Sequence, residues 1–399
     1  MYENNITPLP ERIRSIRKRR GMSQKELARA AGVSLSWIKQ QEQGNGGTPT
    51  TETMHKVAVA LKVQTSSLIS EVRPGRPHPD TAGDWSEVRD ALQGRGPQPD
   101  GHATAHGITE ALDAMQPALA ANRYSEVRVL LPSLIRDTAT LDADPPGARS
   151  RVLNLAAWLL TQTRQWGDAD AAARMAADAA GGDRLLGAAA VNTMCWSMLR
   201  QGKLSEAQQL AAAKAEAMEP RFSRASSREI SLWGRLLLAA TNAAVRDNRP
   251  GEAEDMLSLA RAAASRVGRE ICPDGSTART FGPLSVWMIT AENAAIERRP
   301  EQVISVAENI PAIAASFPPG ILYPLSASRC RHRLDVANAY VMMRDYPRAL
   351  EMLQGLRADV PEWLVQQGYA KIVLRDIVRQ RRTLTRSMRD LADAINMPF

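Results

Sequence analysis

The chain is predicted to be all-α. Three observations lead there: its composition, a pair of short capped helices near the N-terminus, and a helix-turn pattern that recurs through the rest. Hydrophobic residues fill 44% of the 399 positions and aromatics only 5%, which suits helices packed through Ala and Leu better than a β-sandwich. Strand-like alternation is nearly absent. The length allows two or three domains with substantial cores.

Residues 1–9 read as a loose arm. A first helix begins near Pro10, with Ile13 and Ile16 on one face and a basic edge of Arg12, Arg14, Lys18, Arg19 and Arg20 expected near phosphates. Ser23 is a good N-cap with Glu26 three residues on, a capping box that starts a helix through Ala30. Gly32, lacking a Cβ, can take the left-handed turn that ends it, and Ser34 caps a further helix to about Glu42. Leu27, Ala28, Val33 and Ile38 fall where two short helices crossing steeply must touch. Pro49 with Thr50 or Thr51 opens a fourth helix carrying Met54, Val57, Ala58 and Leu61, and Leu68 and Ile69 close the bundle from a fifth.

Gly21-x-Ser23-Gln24-x-x-Leu27-Ala28, Gly32-Val33-Ser34, Ile38 and Glu42-x-Gly44 stand at the spacing of the Xre family. The stretch from about Pro10 to Ile69 resembles that phage-repressor type of helix-turn-helix, which implies a five-helix lambda-repressor-like domain with double-stranded DNA as its partner. By that resemblance Gln24 grips a phosphate, Ser34, Leu35, Ser36 and Gln40 point into the major groove, and Arg17 pairs with Glu42 across the domain. Arg20 and Lys39 are read as phosphate contacts, with a simply solvated Lys39 as the alternative. Trp37 either stacks along a sugar-phosphate backbone or covers the helix junction. Two departures from the family stand out: Gln41 occupies a usually apolar position, and Gly46-Gly47 looks like a one-residue insertion.

Residues 1–72 form this domain and 73–107 a Pro/Gly-rich linker, in which RPGRPHPD and GRGPQPDGH lack a helical period. Between them DWSEVRDAL, capped by Asp84 with Trp85, Val88 and Leu92 on one stripe, is expected to dock as a short helix. His102 and His106 have no third ligand nearby and read as solvated.

Residues 108–399 hold a repeat. YSEV, WGDA, LSEA, PGEA, PEQV and YPRA end at Val127, Ala169, Ala207, Ala253, Val303 and Ala349, separated by 42, 38, 46, 50 and 46 residues. Twelve residues ahead of the later anchors stand Ala157, Cys195, Thr241, Ala291 and Ala337, all small, as close helix pairing requires. These turns resemble the tetratricopeptide (TPR) repeat, so the resemblance implies a TPR-like α-solenoid of long, degenerate helix pairs over about Ile108–Gln380. The helix from Leu384 to about Ile395 is expected to serve as a cap or a dimer contact.

In TPR domains the first helix of each pair lines the concave face. The corresponding stripe carries Arg151, Asn154 and Trp158, then Asn192, Trp196 and Arg200, then Arg235, Asn242 and Arg246, and finally Arg331 and Asn338. Asn amides pair with an extended peptide backbone and Arg forks with a carboxylate. A groove for a peptide or small-molecule effector is expected there, beside two other readings: contact with a partner or with the DNA reader, or solvation of an empty face. Trp158 and Trp196 are platform or core residues.

The formal net charge is +8 with a sequence pI near 9.7, and residues 1–72 hold 11 Lys/Arg against 6 Asp/Glu. More than half the positive excess therefore lies in the expected reader. Cys195, Cys272 and Cys330 are scattered and read as reduced packing thiols. No signal-peptide core and no membrane span is present, so a cytoplasmic protein is expected. No phosphate loop, nucleophile elbow or zinc motif occurs, which argues against an enzyme, and no cofactor is expected. The sequence is thus read as a dimeric, effector-responsive DNA-binding regulator. A DNA-tethered protein scaffold and a constitutive dimeric repressor stay open beside it.

Overall fold

The computed structural model describes residues 9–69, 84–97, 103–141, 147–318, 320, 323, 325–380 and 383–397. They are helical almost throughout. Among them β-pairing is confined to one isolated bridge between Ile271 and Phe281.

Five helices form the N-terminal bundle: α1 (Leu9–Arg19), α2 (Gln24–Ala31), α3 (Leu35–Glu42), α4 (Thr51–Leu61) and α5 (Ser66–Ile69). The capping box at Ser23 and Glu26 is complete, and Gly32 is left-handed at φ 66°. Ser34 accepts from the Trp37 N–H and Thr50 from the Thr53 N–H, so α3 and α4 start on capped turns. Ile13, Leu27, Ile38, Met54, Val57, Leu61 and Leu68 are fully buried in its core.

The two departures from the family pattern explain each other. Gln41 is buried and its Nε2 donates to the Gly47 carbonyl at 2.9 Å, so the inserted loop supplies the partner that an apolar residue would not need. A Cβ on Gly46 would lie 2.1 Å from that amide nitrogen. Gly46→Ala is therefore expected to cost about 0.5–1.5 kcal/mol, as the end of the Gln41 side chain moves aside and gives up its hydrogen bond to Gly47. In a thermal-melting double-mutant cycle the loss should largely vanish when Gln41→Ala is already present.

A short helix, α6 (Ser86–Leu92), begins after Asp84 accepts from the Ser86 N–H. Six helical hairpins follow: α7 (Ala105–Ala120) with α8 (Tyr124–Ala139), α9 (Ala148–Gln162) with α10 (Trp166–Ala179), and α11 (Arg184–Arg200) with α12 (Leu204–Ala217). Then come α13 (Ser227–Arg246) with α14 (Pro250–Val267), α15 (Pro283–Ile296) with α16 (Pro300–Ala315), and α17 (Ala327–Met342) with α18 (Tyr346–Asp359). The segments α19 (Pro361–Val365), α20 (Gly368–Val378) and α21 (Arg386–Ala394) complete the chain. Trp85 and Val88 of the α6 region are buried against α8, and Arg89 pairs with Asp168, so the linker helix belongs to the hairpin array.

Each hairpin closes the same way. Five positions before each anchor the backbone is left-handed, at Asn122, Arg164, Gly202, Asn248, Arg298 and Arg344. The next N–H then reaches back to the first helix, as in Arg123 to Ala118 O at 2.9 Å and Asp345 to Tyr340 O at 2.8 Å. All six anchors and the five small residues opposite them are at most 2% exposed. Successive hairpins stack first helix on first helix, giving an α-solenoid.

The solenoid curls until its ends meet. Glu362 at the start of α19 accepts from the Ser125 N–H and Oγ–H in the first hairpin, and α19 packs on α8. Asn122 donates to Leu325 O, Arg164 to Gln366 O, and Arg200 to Gln367 Oε1. One apolar cluster runs from the first hairpins into α17–α21. The expected open groove is therefore an inner cavity, because closing the ring buries apolar surface at both ends. Met388, Leu391, Ala392 and Ile395 of the α21 segment are buried within the same chain, as a cap requires.

Candidate nucleic-acid interface and inner cavity

Arg17 and Glu42 lock α1 to α3. The Arg17 Nε and Nη2 donate to the two Glu42 oxygens at 2.6 and 2.7 Å, with both side chains buried. Burial by itself would push Glu42 up, but Arg17 and Gln24 outweigh it and hold the carboxyl below its usual range. That pairing presents α3 outward: Ser36, Lys39 and Gln40 are exposed, and so is Ser34, whose Oγ caps the helix.

The other expected contacts are placed differently. Gln24 Nε2 donates to Glu42 Oε2 at 2.8 Å. Arg20 lies across the C-terminus of α4, donating to Leu61 O and Lys62 O at 3.2 Å each. Arg20 remains exposed, yet its hydrogen bonds support the bundle. Leu35 and Trp37 are half-buried against the bundle core, which Leu204 of α12 joins, so Trp37 covers a junction.

The bundle is docked on the solenoid at the turn between α13 and α14. His55 Nδ1 lies 2.6 Å from Arg246 O, and Thr65 Oγ donates to the same carbonyl. Ser66 donates its N–H and its hydroxyl to the Asp247 carboxylate, and Asn248 donates to Val63 O. Asp247 is fully buried. Of these residues only Arg246 was singled out in the sequence, and for the stripe rather than for this seat, since the contacts span more than 180 positions and no local pattern marks them.

Inside the ring lies a cavity open to solvent, and the space between its walls, with the solvent at its mouth included, is about 960 Å³. Trp158, Asn192, Trp196, Arg200, Arg235, Asn242 and Arg331 of the stripe line it. The remaining stripe residues do not line it. Arg151 donates to Gly275 O at 2.9 Å and Asn154 to Ser276 Oγ at 3.2 Å, because the segment 269–282 folds into the concave face and occupies that end. Asp274 rigidifies the segment by accepting from the Ser276 and Thr277 N–H groups and from Thr277 Oγ. Arg246 turns to Glu292, and Asn338 is buried on α17 away from the cavity.

Several lining groups are already committed. Asn192 donates to Arg235 O and accepts from the Arg235 side chain, which also donates to Thr280 O at 2.8 Å. Reoriented to satisfy both indoles, the Gln162 amide oxygen accepts from Trp158 Nε1 and Trp196 Nε1 at 3.2 Å each. Trp158 also makes an edge contact with Tyr124 at 6.0 Å and is a core residue. Among the described residues others find no partner: Asn242 Oδ1, His332 Nδ1 and Asp335 Oδ2 are buried without hydrogen bonds.

The charges divide by place. Glu292 pairs with Arg246 and lies 3.5 Å from Arg331, while Asp335 lies 3.8 Å from Arg331. Burial pushes Asp335 up to about 8. Asp335→Asn, an isosteric match for the protonated acid, should change Tm little near pH 4 and raise it by pH 8, because between those values the unfolded chain ionises this carboxyl while the folded protein must keep it protonated. Equal effects at both pH values would contradict that protonation state. Cys195, Cys272 and Cys330 are each pushed up to about 12 by burial, so all three are held as thiols, consistent with packing roles.

His102 lies outside the described residues; His106 is exposed and faces Glu110 at 3.3 Å. Among the described residues no group of three metal-ligating side chains gathers, and no helix is long and apolar enough to cross a membrane.

A family model described as a helix-turn-helix domain matches residues 9–69, the five-helix bundle. The chain is 29% identical over 89 residues to the uncharacterized HTH-type transcriptional regulator RghRB of Bacillus subtilis (strain 168), covering 22% of this chain and 60% of that protein. It is 31% identical over 83 residues to the HTH-type transcriptional regulator SinR of the same organism, covering 21% of this chain and 75% of SinR. The chain thus spans only about three-fifths of the first relative, and each match leaves roughly four-fifths of this chain unmatched. No solved structure matches it significantly.

Proposed function

Because the chain belongs to the helix-turn-helix transcriptional regulators, we propose that it is a sequence-specific DNA-binding regulator that works as a dimer and answers to a peptide or small-molecule effector in its TPR-like solenoid. The observation that carries the reading is Arg246. Its side chain pairs with Glu292 in the cavity wall, while its carbonyl accepts from the reader at His55 and Thr65. One residue thus joins the cavity wall, through Glu292, to the reader's seat. A ligand that repositions Glu292 would bias the reader's placement, provided it binds one arrangement more tightly than the other. Two readers held at a fixed separation would read two half-sites.

The test is a random-library selection of DNA by the purified full-length protein at stated salt. A two-fold motif with fixed half-site spacing is the expected result, and salt-sensitive binding with no motif would overturn the reading. Within that assay Gln40→Ala should alter base preference at one position, whereas Lys39→Ala should weaken all sequences alike and flatten the salt slope by about 1. An unchanged motif for Gln40→Ala would refute the placement of α3 in the groove.

A further inference from the structure

We propose that the inner cavity contains a seat for an oxyanion, a carboxylate or a phosphate group of the effector, formed by Arg200 of α11 and Arg279 of the 269–282 segment beside Trp196. This deepens the effector reading of the same cavity and rests on it.

Four arginines and two carboxyl groups line the cavity, so it carries excess positive charge even with both acids ionised. Both carboxyls sit beside Arg331, and Arg235 is spent on Asn192 and Thr280. Arg200 and Arg279 have no carboxylate within 4 Å among the described residues. What they share is the Trp196 ring, at 5.5 and 5.7 Å from its centroid. Arg200 adds one hydrogen bond to Gln367, at 3.1 Å.

Those partners fall short of what burial demands. A cation-π contact offsets about 0.5–2 kcal/mol, whereas burying a guanidinium costs several. Both are half-buried, and desolvation accordingly drives Arg200 down to about 9, with Arg164 and Arg331 adding repulsion, and drives Arg279 well below its ordinary value, with Arg235 adding to it and Asp274 opposing it. An oxyanion in the cavity would supply the missing charge and accept from these guanidiniums.

Elsewhere on the lining, Asn242 Oδ1 is an acceptor without a donor among the described residues. The fitting ligand has an oxyanion at one end and N–H or O–H donors at the other, as a peptide ending in a free carboxylate does, or a phosphorylated molecule bearing an amide or amine.

The experiment is thermal melting of the full-length protein against phosphate, against acetate, and against two synthetic pentapeptide pools, one ending in a carboxylate and one in a carboxamide, with chloride holding ionic strength constant. Wild type, Arg200→Gln, Arg279→Gln, the exposed control Arg357→Gln and the cavity-filling Ala239→Trp are compared. Saturable stabilisation of wild type and the control by an anionic probe is expected, with apparent Kd weakened about tenfold or more in both glutamine variants and the response lost in Ala239→Trp. Without anion, Arg279→Gln should melt no lower than wild type, because a half-buried charge without a carboxylate partner has been removed; a purely structural arginine would give the opposite.

Response to phosphate alone assigns the seat to a phosphate group. Response to acetate and the carboxylate pool assigns it to a peptide end. Stabilisation that survives both glutamine substitutions, or that the carboxamide pool matches in all proteins, overturns the seat while leaving the cavity as the effector site. Stabilisation that survives Ala239→Trp overturns the cavity reading itself. No stabilisation of wild type by any anionic probe overturns the seat.

Discussion

Glu42→Ala is expected to abolish DNA binding by unfolding the N-terminal bundle while the solenoid keeps its own melting transition. The substitution strands the Arg17 guanidinium, 8% exposed, without its bidentate partner. Removing one member of a buried pair costs about 3–5 kcal/mol, a large share of the 5–15 kcal/mol that holds a typical domain. The bundle is small, with a core drawn from the described residues 9–69 plus Leu204. Gln24 would lose its acceptor as well. Arg17→Met with Glu42→Leu should recover much of the stability, since the double change leaves no orphaned charge. If Glu42→Ala bound DNA with wild-type affinity and melted within 1 °C of it, the pair would not be what sets α3 against α1.

How much of this was legible in the sequence depends on the range of the interactions. The capping box at Ser23, the turn at Gly32 and the Arg17–Glu42 pair were legible, because each follows from local spacing or from a family pattern within one small bundle. The hairpin anchors were legible too: a small residue is forced wherever two helices approach closely, and that need repeats with each turn. The left-handed residues at Asn122, Arg164, Asn248, Arg298 and Arg344 were not, since only Gly202 of the six is a glycine. Half of the stripe's meaning was also hidden. Arg151 and Asn154 stand in register with the cavity residues, but Asp274 folds its segment onto them, and nothing in a periodic pattern reports where a loop comes to rest. Ring closure through Glu362 and Ser125 links positions 237 apart, and sequence spacing is silent at that distance.

Asp247→Ala is expected to loosen the reader from the solenoid without unfolding either. The carboxylate takes both the N–H and the hydroxyl of Ser66 at the start of α5 and lies 3.2 Å from Arg249 Nε. Hydrogen bonds to a charged group contribute about 1.5–3 kcal/mol each, so the loss is enough to uncouple the two bodies. A single melting transition should split in two, and an effector that shifts DNA binding in wild type should no longer do so. His55 adds a pH signature to the same contact. Burial lowers its affinity for a proton, the Arg246 carbonyl opposes that, and Glu52, Asp247 and the Arg246 charge face it. The folded form therefore resists protonation. Docking should be complete above the ordinary histidine range, near 6.5, and weaken as the pH falls toward the lower folded value, where the cost of keeping His55 neutral mounts. His55→Gln should remove that dependence while sparing the Ser66–Asp247 contact. Unsplit melting in Asp247→Ala, together with an unaltered effector response, would mean that Arg246 links the cavity to the reader by position alone and carries no signal between them.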